Sequence, residues 1–294
     1  MKYAWIRSQR DLYSLGMLCR LLGVARSGFF AWQQGKVPSL RQGQDQRLVV
    51  ALKAAHRRGR GIYGAVKIQR ELAQQGLYAG LNRIKRLRKQ HGMCCRHKRP
   101  FKATTDSRHN LPVAPNRLEQ CFDQTTAPNQ AWVADITYVP TDEGWLYLAG
   151  IKDLHTCELV GWAIDERMGQ QLVLDALRMA YWRKKPKPGL IHHSDRGSQY
   201  CSRDYQAQLS AYGMLASMSR KGNCWDNAPM ESFFGTLKTE CVHQYRFVSR
   251  QHAKATIFEY VEVFYNRIRR HARLGYVSPA AFETQFYNSL KQAA

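Results

Sequence analysis

Residues 132–164 read WVADITYVPTDEGWLYLAGIKDLHTCELVGWAI, and the fold follows from this stretch. Three runs rich in β-branched and aromatic residues occupy Trp132–Val139, Trp145–Leu154 and Leu159–Ile164. Such residues favour strands, and short polar segments with turn-forming residues separate the runs. The pattern predicts a meander of three antiparallel strands.

Helices and strands alternate after the meander. The periodicity predicts a helix, a short strand, a second helix and a second strand over Gln170–Arg183, Gly189–His193, Arg203–Tyr212 and Leu215–Met218. A further helix runs through Thr239 and begins near Pro229, because the fixed φ of proline suits a first helical turn. This order is that of a ribonuclease-H-like α/β domain, which we place at residues 130–245.

The charge of the chain is concentrated at one end. Lys and Arg number 45 against 22 Asp and Glu, which leaves a formal charge of +23. Residues 1–120 hold 25 basic and 5 acidic residues, whereas residues 121–294 hold 20 and 17. A basic half beside a nearly neutral half indicates a region that binds a polyanion, joined to a second unit.

Two helical units are predicted in the basic half. Within residues 1–50, two short helices between Ser14 and Gly35 resemble a helix-turn-helix, with Gly23 in the left-handed conformation and Ser27 as a cap. A helical hairpin that does not touch DNA shows the same pattern, so both interpretations stay open.

The second unit, residues 51–95, contains helices over Ile62–Gln75 and Leu81–His91. No acidic residue lies between Leu72 and Thr105. A charged helix face is often only solvated, but here we expect contacts with DNA phosphates from Arg83, Lys85, Arg86, Arg88 and Lys89. A basic linker that contains prolines follows at residues 96–129, and residues 246–294 form a C-terminal helical extension.

Three carboxylates occupy positions that could converge. Asp135 lies inside the first strand, Asp195 directly follows the fourth strand, and Glu231 lies in the first turns of the last core helix. Mg²⁺ prefers oxygen ligands, and two such ions can support phosphoryl transfer. Taken singly, Asp195 could form a turn and Glu231 could favour the helix dipole. Asp135 could pair with Lys152 or Arg167.

Three motifs carry a resemblance to a known family. They are Asp135-Ile136-Thr137-Tyr138, His193-Ser194-Asp195-Arg196-Gly197-Ser198-Gln199-Tyr200 and Trp225-Asp226-Asn227-Ala228-Pro229-Met230-Glu231-Ser232-Phe233-Phe234. They resemble the DDE integrase core, and most closely the OrfB product of the insertion-sequence-three family of bacterial transposases, which are cousins of retroviral integrases. The likeness covers nearly the whole chain.

The resemblance implies site residues. The catalytic and metal-binding acids of the family correspond to Asp135, Asp195 and Glu231. A basic residue seven positions after the glutamate is typical, and Lys238 stands there. Lys238 would contact DNA near the scissile phosphate, and Asn227 would contact phosphates or position the glutamate. In the tail, Arg267, Arg269, Arg270 and His271 would contact the DNA backbone or brace the core.

The resemblance also implies an activity. It is metal-dependent strand cleavage and strand transfer at insertion-element ends, with two Mg²⁺ ions for which Mn²⁺ can substitute. The implied partners are double-stranded DNA at the element ends and target, other copies of the chain on DNA, and an upstream-frame (OrfA) protein or fusion. Two alternatives remain open, which are a non-catalytic DNA-binding regulator and a nuclease without strand transfer.

Location is predicted from absent signals. Neither end of the chain reads as a targeting sequence, and no uninterrupted apolar stretch approaches the length of a membrane span. Together with the resemblance to bacterial transposases, this implies a bacterial cytoplasmic protein that associates with the nucleoid. The eight cysteines form no C-x-x-C pair, which favours free thiols over a zinc site.

Overall fold

The computed structural model describes residues 1–35, 40–95, 112–221 and 223–293. The helices in chain order are α1 Lys2–Ser8, α2 Leu15–Leu21, α3 Arg26–Gln33, α4 Leu40–Arg58, α5 Ala65–Gln74, α6 Leu81–Gln90, α7 Gln170–Lys184, α8 Ser198–Cys201, α9 Arg203–Ala211, α10 Ala228–Glu240, α11 Arg250–Phe258 and α12 Pro279–Ala293. The first part of the predicted linker, residues 96–111, lies outside the described residues.

A five-stranded mixed sheet forms the centre of the molecule. Its strands are β1 Ala131–Thr141, β2 Gly144–Asp153, β3 Leu159–Asp165, β4 Ile191–Ser194 and β5 Leu215–Met218. The spatial order is β3-β2-β1-β4-β5. Strands β1, β2 and β3 pair antiparallel, while β4 pairs parallel with both β1 and β5. The predicted meander and the predicted order of strands and helices are confirmed.

Side chains of β1 alternate between two apolar layers. Trp132 and Ala134 face the layer that α7, α8 and α9 cover. Val133 and Val139 face the opposite layer, which α10 covers with residues such as Phe233. Because successive strand residues point to opposite faces, Asp135 shares the face of Val133 and is directed towards α10.

Gly161 in β3 allows a close crossing of α7. A Cβ atom at this position would lie 2.3 Å from the carbonyl oxygen of Ala176 and 2.7 Å from the backbone nitrogen of Ala180. Only a residue without a side chain leaves room for the helix backbone at this distance. The glycine thus sets how closely α7 packs on the meander.

Helices α1 to α3 enclose a small core of their own, built around Ile6 and Phe29. Gly23 follows α2 with φ +60°, as its predicted left-handed conformation requires. The predicted cap at Ser27 is wrong, because α3 begins at Arg26 and its N-cap is Ala25, two residues before Ser27. Ser27 lies inside the first turn of the helix. The boundary predicted between residues 50 and 51 falls inside α4.

The basic helices α4, α5 and α6 pack into the same apolar cluster as α10. Their strongest polar link to the rest of the chain is a buried ion pair, in which Nε of Arg270 contacts Glu71 at 2.7 Å. The Tyr63 hydroxyl accepts a hydrogen bond from the backbone N–H of Arg270 at 2.9 Å and donates one to the carbonyl of Ile268 at 3.2 Å. The helical region is therefore docked on the C-terminal segment.

The segment after α10 is largely helical. Helix α11 continues into a π-helical stretch, Glu259–Tyr265, and α12 ends the described chain. Arg269 forms two hydrogen bonds of 2.8 Å with the carboxylate of Glu240 in α10. Arg269 thus braces the core through an ion pair, whereas Arg270 joins the tail to the helical region.

Candidate active site

The register of β1 and β4 brings two acids side by side. These parallel strands pair Ala134 with Ser194, and Asp135 and Asp195 each follow one residue later. Neighbouring strands lie about 4.8 Å apart, so the two carboxylates start from adjacent backbone positions. Asp195 stands where β4 ends, which is the edge at which open α/β sheets place their sites.

Each of the two acids is oriented by a local hydrogen bond. Oδ1 of Asp135 accepts the N–H of Ile136 at 2.8 Å. Oδ1 of Asp195 accepts the N–H of Gly197 at 2.9 Å, in the tight turn after β4. Both side chains are half-buried.

The charges around Asp135 act on its pKa. Burial raises this pKa well above its ordinary value, and the negative charges of Asp195 and Glu231 raise it further. The Ile136 hydrogen bond and the positive charge of Lys238 oppose the increase. Clustered carboxylates repel one another, and this repulsion disfavours ionisation of Asp135.

Glu231 lies in the first turn of α10, after Pro229 at the start of the helix as predicted. Its side chain is exposed, and partial burial raises its pKa. Within the described residues, no three His, Cys, Asp or Glu side chains are close enough to hold a metal ion as they stand. The charge of Glu231 therefore acts on Asp135, but its side chain does not yet lie close enough to the two aspartates to share a metal ion with them.

Lys238 lies two turns after Glu231 on α10, so the two residues share a helix face. Its side chain is half-buried, and this burial lowers its pKa while the charge of Asp135 raises it. The role of Lys238 as a DNA contact stays a prediction.

The start of α10 is held by long-range hydrogen bonds. Nδ2 of Asn227 donates to the carbonyl of Ala134 at 3.0 Å, next to Asp135. Lys152 donates to the carbonyl of Pro229 at 3.2 Å, which accounts for the lysine that could have paired with Asp135. Asn227 is 5% exposed, so its position suits a residue that orients α10 better than one that touches DNA.

Asp226 is a buried anchor of the turn before α10. It is 1% exposed and accepts hydrogen bonds from Arg220, Gln120 and Asn116. The Arg220 hydrogen bonds hold the pKa of Asp226 well below its usual range. Its partners lie 6 to 110 residues away in sequence, and no local pattern identifies them.

The two histidines before Asp195 are structural. His192 is 1% exposed and meets the Tyr205 hydroxyl at 3.1 Å, and His193 meets Ser217 at 2.8 Å and Ser219 at 3.2 Å. Burial lowers the pKa of His192 to about 3 and that of His193 to about 4. Both rings are neutral at physiological pH and hold β4 in place.

The five basic residues predicted on α6 have different environments. Asp45 of α4 accepts from Nε of Arg83 at 2.7 Å and from Arg86 at 2.6 Å, so an acid distant in sequence pairs with two of them. Arg88 donates to the Tyr63 carbonyl at 3.1 Å. Lys85 and Lys89 are exposed.

Comparison with known families and proteins gives matches over most of the chain. The family model for an HTH-like domain matches residues 43–101, and two models for the integrase core domain match residues 125–224 and 231–287. The transposase InsF of insertion sequence IS3A from Escherichia coli is 44% identical over 286 residues, which are 97% of this chain and 99% of that protein. The chain belongs to the insertion-sequence-three family of transposases.

Another relative is the uncharacterized 31 kDa protein of insertion element IS600 from Shigella sonnei. It is 56% identical over 270 residues, which are 92% of this chain and 98% of that protein. The chain is accordingly a DNA transposase of the DDE type, with an integrase core of a metal-dependent family and an HTH-like region for DNA. In the part of the chain that the structure describes, no helix is both long and apolar enough to cross a membrane.

Two solved structures are similar at a lower level. The simian T-cell lymphotropic virus intasome in complex with a PP2A regulatory subunit matches with TM-score 0.47 and 16% identity, over 73% of this chain and 70% of that chain. The HTLV-2 integrase catalytic core domain in complex with magnesium matches with TM-score 0.44 and 13% identity, over 54% of this chain and 99% of that chain. At these TM-scores neither likeness adds to the assignment.

Proposed function

We propose that Asp135, Asp195 and Glu231 are the catalytic acids of this transposase and its metal ligands. The observation that carries the proposal is the register of β1 and β4, which sets Asp135 beside Asp195. The influence of Asp195 and Glu231 on the pKa of Asp135 supports the same grouping. Glu231 completes the set of metal ligands when its exposed side chain adopts another rotamer. The backbone does not have to move, because α10 is already anchored to β1.

The residues fit two Mg²⁺ ions, for which Mn²⁺ can substitute. Carboxylate oxygens are the donors that Mg²⁺ takes, and a bound cation offsets the repulsion that raises the pKa of Asp135. When bound, such ions activate a nucleophilic hydroxyl and stabilise the leaving oxygen of a phosphodiester.

The chain itself positions DNA for cleavage and for strand transfer. Lys238, two turns from Glu231, neutralises charge next to the scissile phosphate. Asn227 and Lys152 hold the first turn of α10 on β1 and β2, which keeps Glu231 over the sheet edge. The substrates are the element ends and a target duplex, and a 3′-hydroxyl freed at the end attacks the target strand.

Phosphate binding by the helical region rests mainly on Lys85 and Lys89, which are exposed. Arg83 and Arg86 also contribute to phosphate binding, although both pair with Asp45. Arg88 mainly supports the fold through its hydrogen bond to Tyr63. The protein acts as an oligomer on DNA, together with the upstream-frame protein or as a fusion with it, in the bacterial cytoplasm at the nucleoid.

The proposal is tested with labelled ends of the element that carries the gene, with Mg²⁺ or Mn²⁺, and with and without the upstream-frame protein. Wild type should give cleaved and joined products. Glu231→Gln should bind DNA without forming either product. Asp175→Asn, which changes an exposed acid on α7 at the opposite face of the sheet, is the matched control and should keep full activity.

Each alternative has its own outcome in this assay. Products that survive Glu231→Gln would remove the glutamate from the site. Cleavage without joining in wild type identifies a nuclease, and binding without any chemistry identifies a regulator.

A further inference from the structure

The largest exposed aromatic side chain beside the proposed site is that of Trp225. It lies in a 3-10 turn, Cys224–Asn227, directly before α10, and it is 70% exposed. The next two residues, Asp226 and Asn227, are only 1% and 5% exposed. A single exposed apolar residue is common on protein surfaces. Here, however, the indole projects from a turn whose following residues are anchored in the core.

Covalent geometry limits the distance between Trp225 and the anchored residue Asn227. Consecutive Cα atoms are 3.8 Å apart, so the Cα of Trp225 lies within about 7.6 Å of that of Asn227. Asn227 is bonded to the carbonyl of Ala134, the residue before Asp135. Trp225 is therefore held at the rim of the acid cluster, six positions before Glu231.

The hydrogen bonds that anchor this turn involve the backbone of Trp225 and the side chains of its neighbours, and none of them uses the indole. The Asn223 side chain accepts the N–H of Trp225 at 3.1 Å and caps the turn. Asp226 is bound through its carboxylate to Arg220, Gln120 and Asn116. Because these contacts fix the backbone, the aromatic face is available for a ligand without rearrangement of the turn.

The surroundings favour a nucleic-acid ligand. Arg220, whose side chain is 56% exposed, pairs with Asp226, the residue after Trp225, and Lys221 is exposed, so basic residues border the turn that carries the indole. Aromatic faces beside cationic groups are the combination that binds single-stranded DNA, because bases stack on the rings while phosphates meet the cations. Inside a duplex both faces of a base are already stacked, so away from a free end the indole can accept only a base that has left the helix.

We propose that Trp225 stacks on an unpaired base next to the phosphate that is cut or joined, and so positions the DNA strand. This inference rests on the proposed function, because it takes the acid cluster as the place of reaction. Stacking of one base on an aromatic side chain contributes about 5- to 150-fold in affinity. The contribution applies to DNA with an unpaired base and not to a paired base inside a duplex.

The test compares two DNA probes of the same element-end sequence. One is a blunt duplex that continues into flanking DNA, so that the probed position is paired and internal, and the other is a forked duplex with 2-aminopurine at the first unpaired position. Binding and fluorescence are measured without divalent ions, so that no strand is cut. We expect wild type to prefer the fork and to quench the 2-aminopurine. Trp225→Ala should weaken fork binding about 5- to 150-fold, remove the quenching and change blunt binding by no more than about two-fold. Trp225→Phe should keep most of both effects.

Trp182→Ala, at a 65% exposed tryptophan on α7, is the matched control and should behave as wild type. Unchanged quenching in Trp225→Ala, or equal losses on both probes, would overturn the proposal. A changed oligomeric state with an unchanged fork preference would overturn it as well and assign the indole to a protein contact. Glu231→Gln should retain the fork preference, so an error in the acid assignment shows only in the product assay.

Discussion

Replacement of Arg270 by Met should release the helical region from the C-terminal segment. Arg270 is 6% exposed and its partner Glu71 is 4% exposed. Besides Glu71, the guanidinium binds the Tyr276 carbonyl at 2.8 Å and the side chain of Gln74. Met fills a similar volume but offers no donor, so the substitution leaves the buried carboxylate of Glu71 and the Tyr276 carbonyl without this partner.

The magnitude follows from this burial. Removal of one partner of a buried ion pair costs about 3–5 kcal/mol in the free energy of unfolding. Arg58 lies 3.4 Å from Glu71 and is 60% exposed, so it compensates in part and the lower end of the range applies. The control Arg273→Met breaks the exposed pair with Asp123 and should cost less than about 1 kcal/mol.

Urea unfolding followed by circular dichroism measures both variants, with the slope against urea compared to wild type. A double-mutant cycle with Glu71→Gln should give a coupling energy of about 0.5–3 kcal/mol, because the two side chains touch. If Arg270→Met were no more destabilising than Arg273→Met, the buried pair would not hold the helical region in place and our account of the docking would be wrong.

Four further predictions concern packing, charge and pH. Gly161→Ala should lower the free energy of unfolding by about 1–3 kcal/mol because its Cβ meets the α7 backbone, whereas Gly43→Ala, inside α4 with nothing within 4 Å, should not lower it in the same urea experiment. Asp226→Asn should be less stable than wild type at neutral pH. Since the pKa of Asp226 is lowered by Arg220, this difference should shrink as the pH falls below about 4, and a constant difference in melting temperature would contradict it. His193 has a lowered pKa of about 4, so the unfolded chain takes up protons first and stability should decline as the pH falls from about 6.5 towards 4; His193→Gln should flatten this part of a melting-temperature profile. Lys85→Ala with Lys89→Ala should reduce the slope of log affinity for DNA against log salt by about 2, and an unchanged slope would place the phosphate contacts elsewhere.

The sequence predicted well what depends on local pattern. The strands of the meander, the proline at the start of α10 and the left-handed Gly23 all follow from residue types at fixed spacing. Asp135 was recognisable because a charged residue inside an apolar strand needs a reason to be there. The catalytic role of Asp135 remains a proposal.

Contacts between distant segments were not predictable in this way. The pairing of Asp45 with Arg83 joins residues 38 apart, and that of Glu71 with Arg270 joins residues 199 apart. Neither pair leaves a periodic signal, because each depends on how whole helices pack. For the same reason the sequence showed no acid that neutralises the basic residues of α6, although Asp45 of α4 pairs with two of them. The Asn227 bond to β1 likewise depends on the placement of α10 over the sheet.

The three acids are mounted on the molecule in two different ways. Asp135 and Asp195 belong to neighbouring strands, where a change in their spacing would require backbone hydrogen bonds in the middle of the sheet to break. Glu231 belongs to a helix that packs on the sheet through apolar side chains such as Met230 and Phe233, and the side-chain hydrogen bonds of Asn227 and Lys152 hold the start of this helix. Under the proposed assignment, a substitution at Asn227 or Lys152 would displace Glu231 while the sheet stays intact, so these two contacts are the place to engineer a transposase that binds DNA without cutting it.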